Sequence, residues 1–405
     1  MLRYLGFLWW GICLWGQILI RGVYIHGGSV SPQSPADILI VGDTIAAVGS
    51  NLPAAPGYTI VEGRGLHAYP GLVALSAPTG LIEVEAVRAT RDASETGEYN
   101  PNALAYTAFN IDSRVLPTLV ANGILYAEAA PQGSVIAGQS ALFRLQGRTR
   151  EEAVVLPQAA LYLDPPSLRP PISLPPDKQE KARKEALTAW EKLYSFLEKA
   201  QRWCQGDSGE RDLRYAALCP YFEGQRPVVI EANWAEDIEA ALSLGRRFGF
   251  RIGILGGQEA DKVASELKTA KAVVILRRTH ALPPTEDSPW DASFTLPRRL
   301  LEKGIPVILA HESFWNQRNL PYQAGTAAAY GLPPEEALRL ITEAPAQWLG
   351  LNRLGRIAPG YKASIILTEG DLLDPPTSRV QQAWMEGKEI NLSTNPQEIL
   401  YQRYK

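Results

Sequence analysis

The sequence predicts an α/β fold, a closed (β/α)8 TIM-like barrel beside a small β-sandwich built from both chain ends. Three observations carry this. Short β-rich runs broken by turns fill residues 18–62, apolar strands alternate with helical stretches over 70–354, and β texture returns at Gly355. Alternation of strand and helix implies βα units around a parallel sheet, and a stretch of that length suits a closed barrel better than an open doubly wound sheet. With 405 residues, 46% hydrophobic and 20% charged, the chain reads as one large domain plus a smaller one. A net charge of −3 offers no basic field for a phosphate backbone, so nucleic acid is not expected as a partner.

In chain order, the first segment is Met1-Leu2-Arg3, an apolar run over 4–15, then Gly16 and Gln17. One positive charge, a short apolar core and a small residue before a polar one predict a signal peptide over 1–16 and an exported protein, periplasmic or extracellular. The alternative is an uncleaved anchor. Even extended to Ile20, however, the run is only about 17 residues, at the bottom of the spanning range, so no stable membrane insertion is expected. Cys13 sits in a poor context for lipid attachment. Past this segment only Cys204 and Cys219 remain, and in an oxidising compartment they are placed to join across the turn at 205–208, two unrelated thiols being the alternative.

The first β unit has runs at 18–25, 36–41, 44–48 and 58–62, separated by Gly27-Gly28, Gly42-Asp43 and the turn at 53–57; an antiparallel unit is expected. The barrel should occupy 70–354. Its clearest strands are 228–230, 252–255, 272–276 and 307–310, with helices over 237–248, 259–267, 322–330 and 334–341. An insertion over 157–205 begins with a Pro-rich crossing and continues as a charged helix, on which Leu187, Trp190, Tyr194 and Leu197 recur at helical spacing. Strands at 364–368 and 380–385 should return to the N-terminal ones, giving a composite domain of 17–69 and 355–405.

The segments Ile45-Ala46-Ala47-Val48-Gly49, Pro70-Gly71-Leu72-Val73 and Gly355-Arg356-Ile357-Ala358-Pro359-Gly360-Tyr361-Lys362-Ala363 together resemble the amidohydrolase superfamily, and more narrowly its exported, imidazolonepropionase-like branch. Supporting stretches are Glu95 to Pro101, Val135 to Gln139, Arg318 to Tyr330, and Glu336-Ala337-Leu338 with Pro345-Ala346. The resemblance implies hydrolysis of non-peptide C–N bonds by one or two divalent ions at the C-terminal mouth of the barrel. It also implies a ligand set: a His-x-His pair after strand one, a His after each of strands five and six, and an Asp after strand eight. Carried over, these positions fall on Ser76 and Pro78, Glu231, Gly256 (or Leu255), and Glu312 beside His311.

Counting points the same way. The chain has four histidines, His26, His67, His280 and His311, and the first two precede the barrel strands, so a binuclear imidazole site is not expected. Two readings remain for Glu231, His280, His311 and Glu312. They converge as a rearranged catalytic site holding at most one divalent metal such as zinc, or they are polar remnants at a solvated rim. Glu312, His311 and Glu231 are the catalytic candidates. His280, Arg277 and Trp315 are the substrate-binding candidates, with Arg278 able to share an anion clamp and Trp234 able to stack a ring. The charged stretch Glu83, Glu85, Arg88, Arg91, Asp92 and Glu95 is either a specificity loop or a salt-bridged rim. No Gly-x-Ser-x-Gly elbow, P-loop or dinucleotide fingerprint occurs.

The expectation is therefore a degenerate barrel with no cofactor that binds a small molecule, a second copy or a related active subunit. Its rivals are an active C–N hydrolase with a rearranged mononuclear site, acting on cyclic amides or peptide-like substrates, and a purely structural or interaction protein.

Overall fold

A computed structural model describes residues 16–28, 34–207 and 211–405. The expected leader, apart from Gly16, and Cys13 lie outside the described residues. The first five strands are β1 (Gln17–Ile25), β2 (Ala36–Val41), β3 (Thr44–Gly49), β4 (Thr59–Glu62) and β5 (His67–Pro70). Next come β6 (Leu72–Ala77), β7 (Ile124–Ala129), β8 (Ile136–Gln139), β9 (Ala141–Arg144), β10 (Val154–Leu156) and β11 (Leu161–Leu163). They are followed by β12 (Pro227–Ala232), β13 (Arg251–Gly256), β14 (Val273–Leu276) and β15 (Val307–Leu309), then β16 (Ile365–Glu369), β17 (Arg379–Met385) and β18 (Lys388–Glu389).

Both chain ends share one sheet, ordered β18-β17-β16-β5-β1-β2-β3 with β4 also on β1. The first β unit is mixed rather than antiparallel, because β1 pairs antiparallel with β2 but parallel with β4 and β5. The change of partner follows a bulge between Ile20 and Val23, where Gly22 takes φ +67°. The two halves enclose one apolar cluster, with Ile20, Val23, Ile38 and Ile45 facing Ile365, Leu367 and Trp384.

The barrel strands in order are β6, β7, the bent segment β8–β9, β11, β12, β13, β14 and β15. Strands β11 to β15 are parallel neighbours, as are β6 and β7. The ring closes through the chain after β15, where the Leu340 carbonyl accepts from Leu309 N–H (3.1 Å) and the Ile341 carbonyl from Val73 N–H (2.9 Å). The third position departs from an all-parallel barrel: β8 runs antiparallel to β11 and β9 antiparallel to β7. Only residues 130–135 connect β7 to β8, too few for the crossover a parallel strand needs.

Helix Pro176–Cys204 buries Ala186, Trp190, Leu193, Leu197 and Ala200. The stripe is rotated from the one expected, and Leu187 is left exposed. A disulfide joins Cys204 to Cys219 in helix Leu213–Phe222. Among the described residues no helix is long and apolar enough to cross a membrane.

Candidate functional site

Parallel barrel strands deliver their C-terminal residues to one mouth. At its floor sits Glu128, from β7 and 1% exposed. Its carboxylate accepts from Ser76 N–H (3.0 Å), the Tyr162 hydroxyl (2.6 Å) and the Ser140 hydroxyl (2.5 Å). Ser76 Oγ lies 3.1 Å from the Tyr162 oxygen, which is already donating to Glu128, so the serine donates in turn. Ala160 N–H donates to Ser140 Oγ (3.0 Å) and holds that hydroxyl toward the carboxylate. Burial pushes the Glu128 carboxyl up, and its three donors oppose the shift. Ser76 takes φ +65°, a strained conformation for a residue with a side chain, which turns its N–H onto Glu128. A lone Glu in the apolar strand ILYAEA is the sequence signal for this network.

The rim holds the residues singled out in the sequence, divided into separate pairs. Glu231, at the end of β12, is gripped by both terminal nitrogens of Arg277 from the loop after β14, at 2.7 Å for Nη1–Oε1. Asp164, just past β11, shares this corner. It opens to solvent, yet crowding by protein raises its carboxyl to about 6, with the Glu231 charge adding and the Arg277 guanidinium opposing. Across the rim, Arg278 Nε lies 2.8 Å from Glu312 Oε1.

His311 is buried beside Glu312 and accepts the Ser313 N–H at Nδ1 (3.1 Å), which puts the proton of the neutral ring on Nε2. Burial lowers its pKa, Glu312 opposes, and the Arg278, His280 and Arg318 charges add to the depression. His280 has both ring nitrogens committed to helix Leu320–Ala329: Gln323 donates to Nδ1 (3.0 Å), and Nε2 meets Thr326 Oγ1, itself a donor to the Tyr322 carbonyl. Trp315 carries the Arg318 guanidinium 4.8 Å above its ring. Arg169 covers Trp234 in the same way at 4.2 Å, beside a groove of about 1540 Å³ between the Pro-rich crossing and the loop 283–289.

The metal centre that the family resemblance implies does not fit these residues. Ser76 and Pro78 stand where a His-x-His pair would, and Ser76 is spent on Glu128 and Tyr162. Gly256 holds φ +101°, and a Cβ there would lie 2.2 Å from Asn233 Oδ1, so no ligand side chain is accommodated at the end of β13. Glu231 is neutralised by an arginine. Among the described residues no three His, Cys, Asp or Glu side chains group so as to hold a metal ion. Chemically, the mouth offers a braced carboxylate floor and a rim of guanidinium–carboxylate pairs flanking one carboxyl raised to about 6.

Residues 293–394 match the model of the amidohydrolase family. The chain is 27% identical over 222 residues to an amidohydrolase of Hapsidospora irregularis, covering 49% of this chain and 22% of that protein. It is 26% identical over 370 residues to an adenine deaminase of Deinococcus radiodurans, covering 87% of this chain and 59% of that protein. It therefore spans less than two thirds of the curated relatives it matches. Among solved structures, an amidohydrolase from Thermotoga maritima superposes with a TM-score of 0.80 at 22% identity, over 92% of this chain and 99% of that one. A prolidase complexed with an N-methylphosphonate derivative of L-proline superposes at 0.56 with 15% identity, over 93% and 100%. The solved structures share the barrel fold, the family match covers residues 293–394, and none of these likenesses singles out the imidazolonepropionase-like branch.

Proposed function

We propose that this chain, whose residues 293–394 match the amidohydrolase family model, is a metal-free member of that superfamily that keeps the barrel mouth for binding a small molecule or a protein partner and no longer hydrolyses C–N bonds. The observation that carries this reading is the floor network: the strand-one ligand position is a serine whose N–H donates to buried Glu128 and whose hydroxyl donates to Tyr162, itself a donor to Glu128. A carboxylate supplied with three donors needs no cation to be stable in the interior. The paired rim supports the same reading, since Arg277 occupies the carboxylate that would have to serve as a strand-five ligand.

The groove beside Trp234 supports a retained binding role, because an aromatic face and an arginine at the lip of an open cleft suit a ring or an extended chain. The disulfide supports an exported location, where such bonds persist. A second reading rests on Asp164: a carboxyl raised to about 6 beside Arg277 is suited to general acid–base hydrolysis without a metal.

One experiment separates the readings. Cyclic amides and dipeptides are screened for turnover with and without added zinc, and the same compounds are screened for thermal stabilisation. Stabilisation without turnover is the expected result. Zinc-dependent turnover would overturn the proposal, and turnover unaffected by zinc but lost in Asp164→Asn would favour the second reading.

A further inference from the structure

Where the composite sheet meets the barrel, two of the four histidines are bonded to each other. His26, just past β1, places Nε2 2.9 Å from Nδ1 of His67, the first residue of β5. Its other nitrogen, Nδ1, lies 2.8 Å from Glu335 Oε1 in the barrel helix Pro334–Arg339, and Glu335 Oε2 accepts the Gly27 N–H (2.7 Å). His26 stacks on Tyr69 at 4.3 Å and 5°, and His67 stacks on Tyr24 at 5.3 Å. Tyr69 donates to Asp371 (3.0 Å) and accepts from Leu372 N–H. The next segment is tied in as well, with Ile357 N–H donating to the Gly27 carbonyl (3.0 Å). The charged neighbours are thus Glu335, Asp371, the Glu336–Arg339 pair on the same helix, and Arg356, which reaches toward the Gly28 carbonyl and Glu343.

A bond between two imidazoles contains one proton, and this fixes how many more the pair can take. With both rings neutral, Nδ1–H of His26 serves Glu335 and Nδ1–H of His67 serves Nε2 of His26. With one added proton, His26 donates from both nitrogens and His67 Nδ1 becomes the acceptor, so every contact survives. A second added proton places N–H against N–H between two cations, and the bond is lost. We propose that the His26–His67 pair is a proton-counting latch that docks the composite sheet on the barrel when it carries at most one extra proton and releases helix Pro334–Arg339 when it takes a second.

The helix is well placed to transmit this. It leads directly into Leu340 and Ile341, whose carbonyls close the ring between β15 and β6. The direction follows from His67, whose pKa is lowered by burial first and then by the His26 charge, with Asp371 opposing. A ring that resists protonation when folded gives stability that is complete above its ordinary value of about 6.5 and lost as pH falls below it. Glu335 works with the latch: although burial opposes it, the His26 and Gly27 contacts hold its carboxyl below the usual range.

The test is ring-carbon NMR titration of the histidines in the full chain, with hydrogen exchange at Gly27 and Ile357 corrected for intrinsic pH dependence. The latch requires His26 and His67 to titrate as a coupled pair, one step below 6.5. Local opening at the two amides should rise with acid by up to about tenfold per pH unit below that step. His67→Gln, which keeps a neutral bonding group, should flatten this response. Independent titration of both rings near 6.5 in the wild type overturns the proposal whether or not the variant folds, as does an equal acid response in wild type and His67→Gln.

Discussion

The floor of the barrel mouth and its rim are built from the same kinds of residue and solve opposite problems. At the floor, Glu128 is enclosed and answered entirely by neutral donors from Ser76, Tyr162 and Ser140. At the rim, Glu231 and Glu312 are half-open and answered by guanidinium groups, with Asp164 left between regimes. The floor is a structural brace whose parts depend on one another. Rim pairs are individually weak, screened by solvent, and open to exchange for a ligand. A barrel mouth built in this way can therefore stay rigid below while remaining adaptable above.

The strongest way to break this comparison is at the floor. Glu128→Ala strands three buried donors and leaves a cavity, and denaturant unfolding should show a loss of about 3–5 kcal/mol. A change within the scatter of surface variants would mean that the network is not a brace. Next in size, Gly256→His attempts to restore the strand-six ligand. The backbone at φ +101° and the contact with Asn233 should lower stability by about 2–3 kcal/mol without creating zinc affinity. Tight zinc binding by that variant would show the mouth to be closer to a metal site than the donor chemistry indicates.

Rim effects should be smaller. A double-mutant cycle of Glu231→Ala and Arg277→Ala should return a coupling near 1 kcal/mol, falling with added salt; a coupling as large as the floor effect would erase the distinction between the two regions. Smallest is Asp164→Asn. A carboxyl raised in the folded state binds its proton more tightly there than in the unfolded chain, so the ionised group opposes folding above about pH 6. The variant should melt slightly higher than wild type at pH 7, and the gain should vanish as pH falls toward 4.

Much of the fold was legible because its signals are local. Pro70-Gly71 set the register of β6, and the apolar runs at 228–230, 252–255 and 307–310 lie within β12, β13 and β15 or at their ends. Strand direction is not local: nothing in Ala141-Leu142-Phe143 says that it runs against β7, which follows from a short connection instead. At the site, Ser76, Pro78 and Gly256 carry no imidazole, which is plain from residue type alone. The pairings could not. Arg277 was expected to meet a ligand, and its partner Glu231 lies 46 positions away, a distance that only the barrel's curvature closes. Glu128 and Tyr162 were missed because each looks like an ordinary member of an apolar strand. His280 illustrates the converse, a histidine in a suggestive position whose ring is consumed by Gln323 and Thr326.

The most direct test of the central claim is the metal content of full-length protein purified without chelator or affinity metal, measured by elemental mass spectrometry alongside Glu231→Ala and Glu312→Ala. A metal-free barrel predicts well under one equivalent of any divalent ion in all three proteins. About one equivalent of zinc in the wild type, lost in both variants, would contradict it and return the rim carboxylates to the role of ligands.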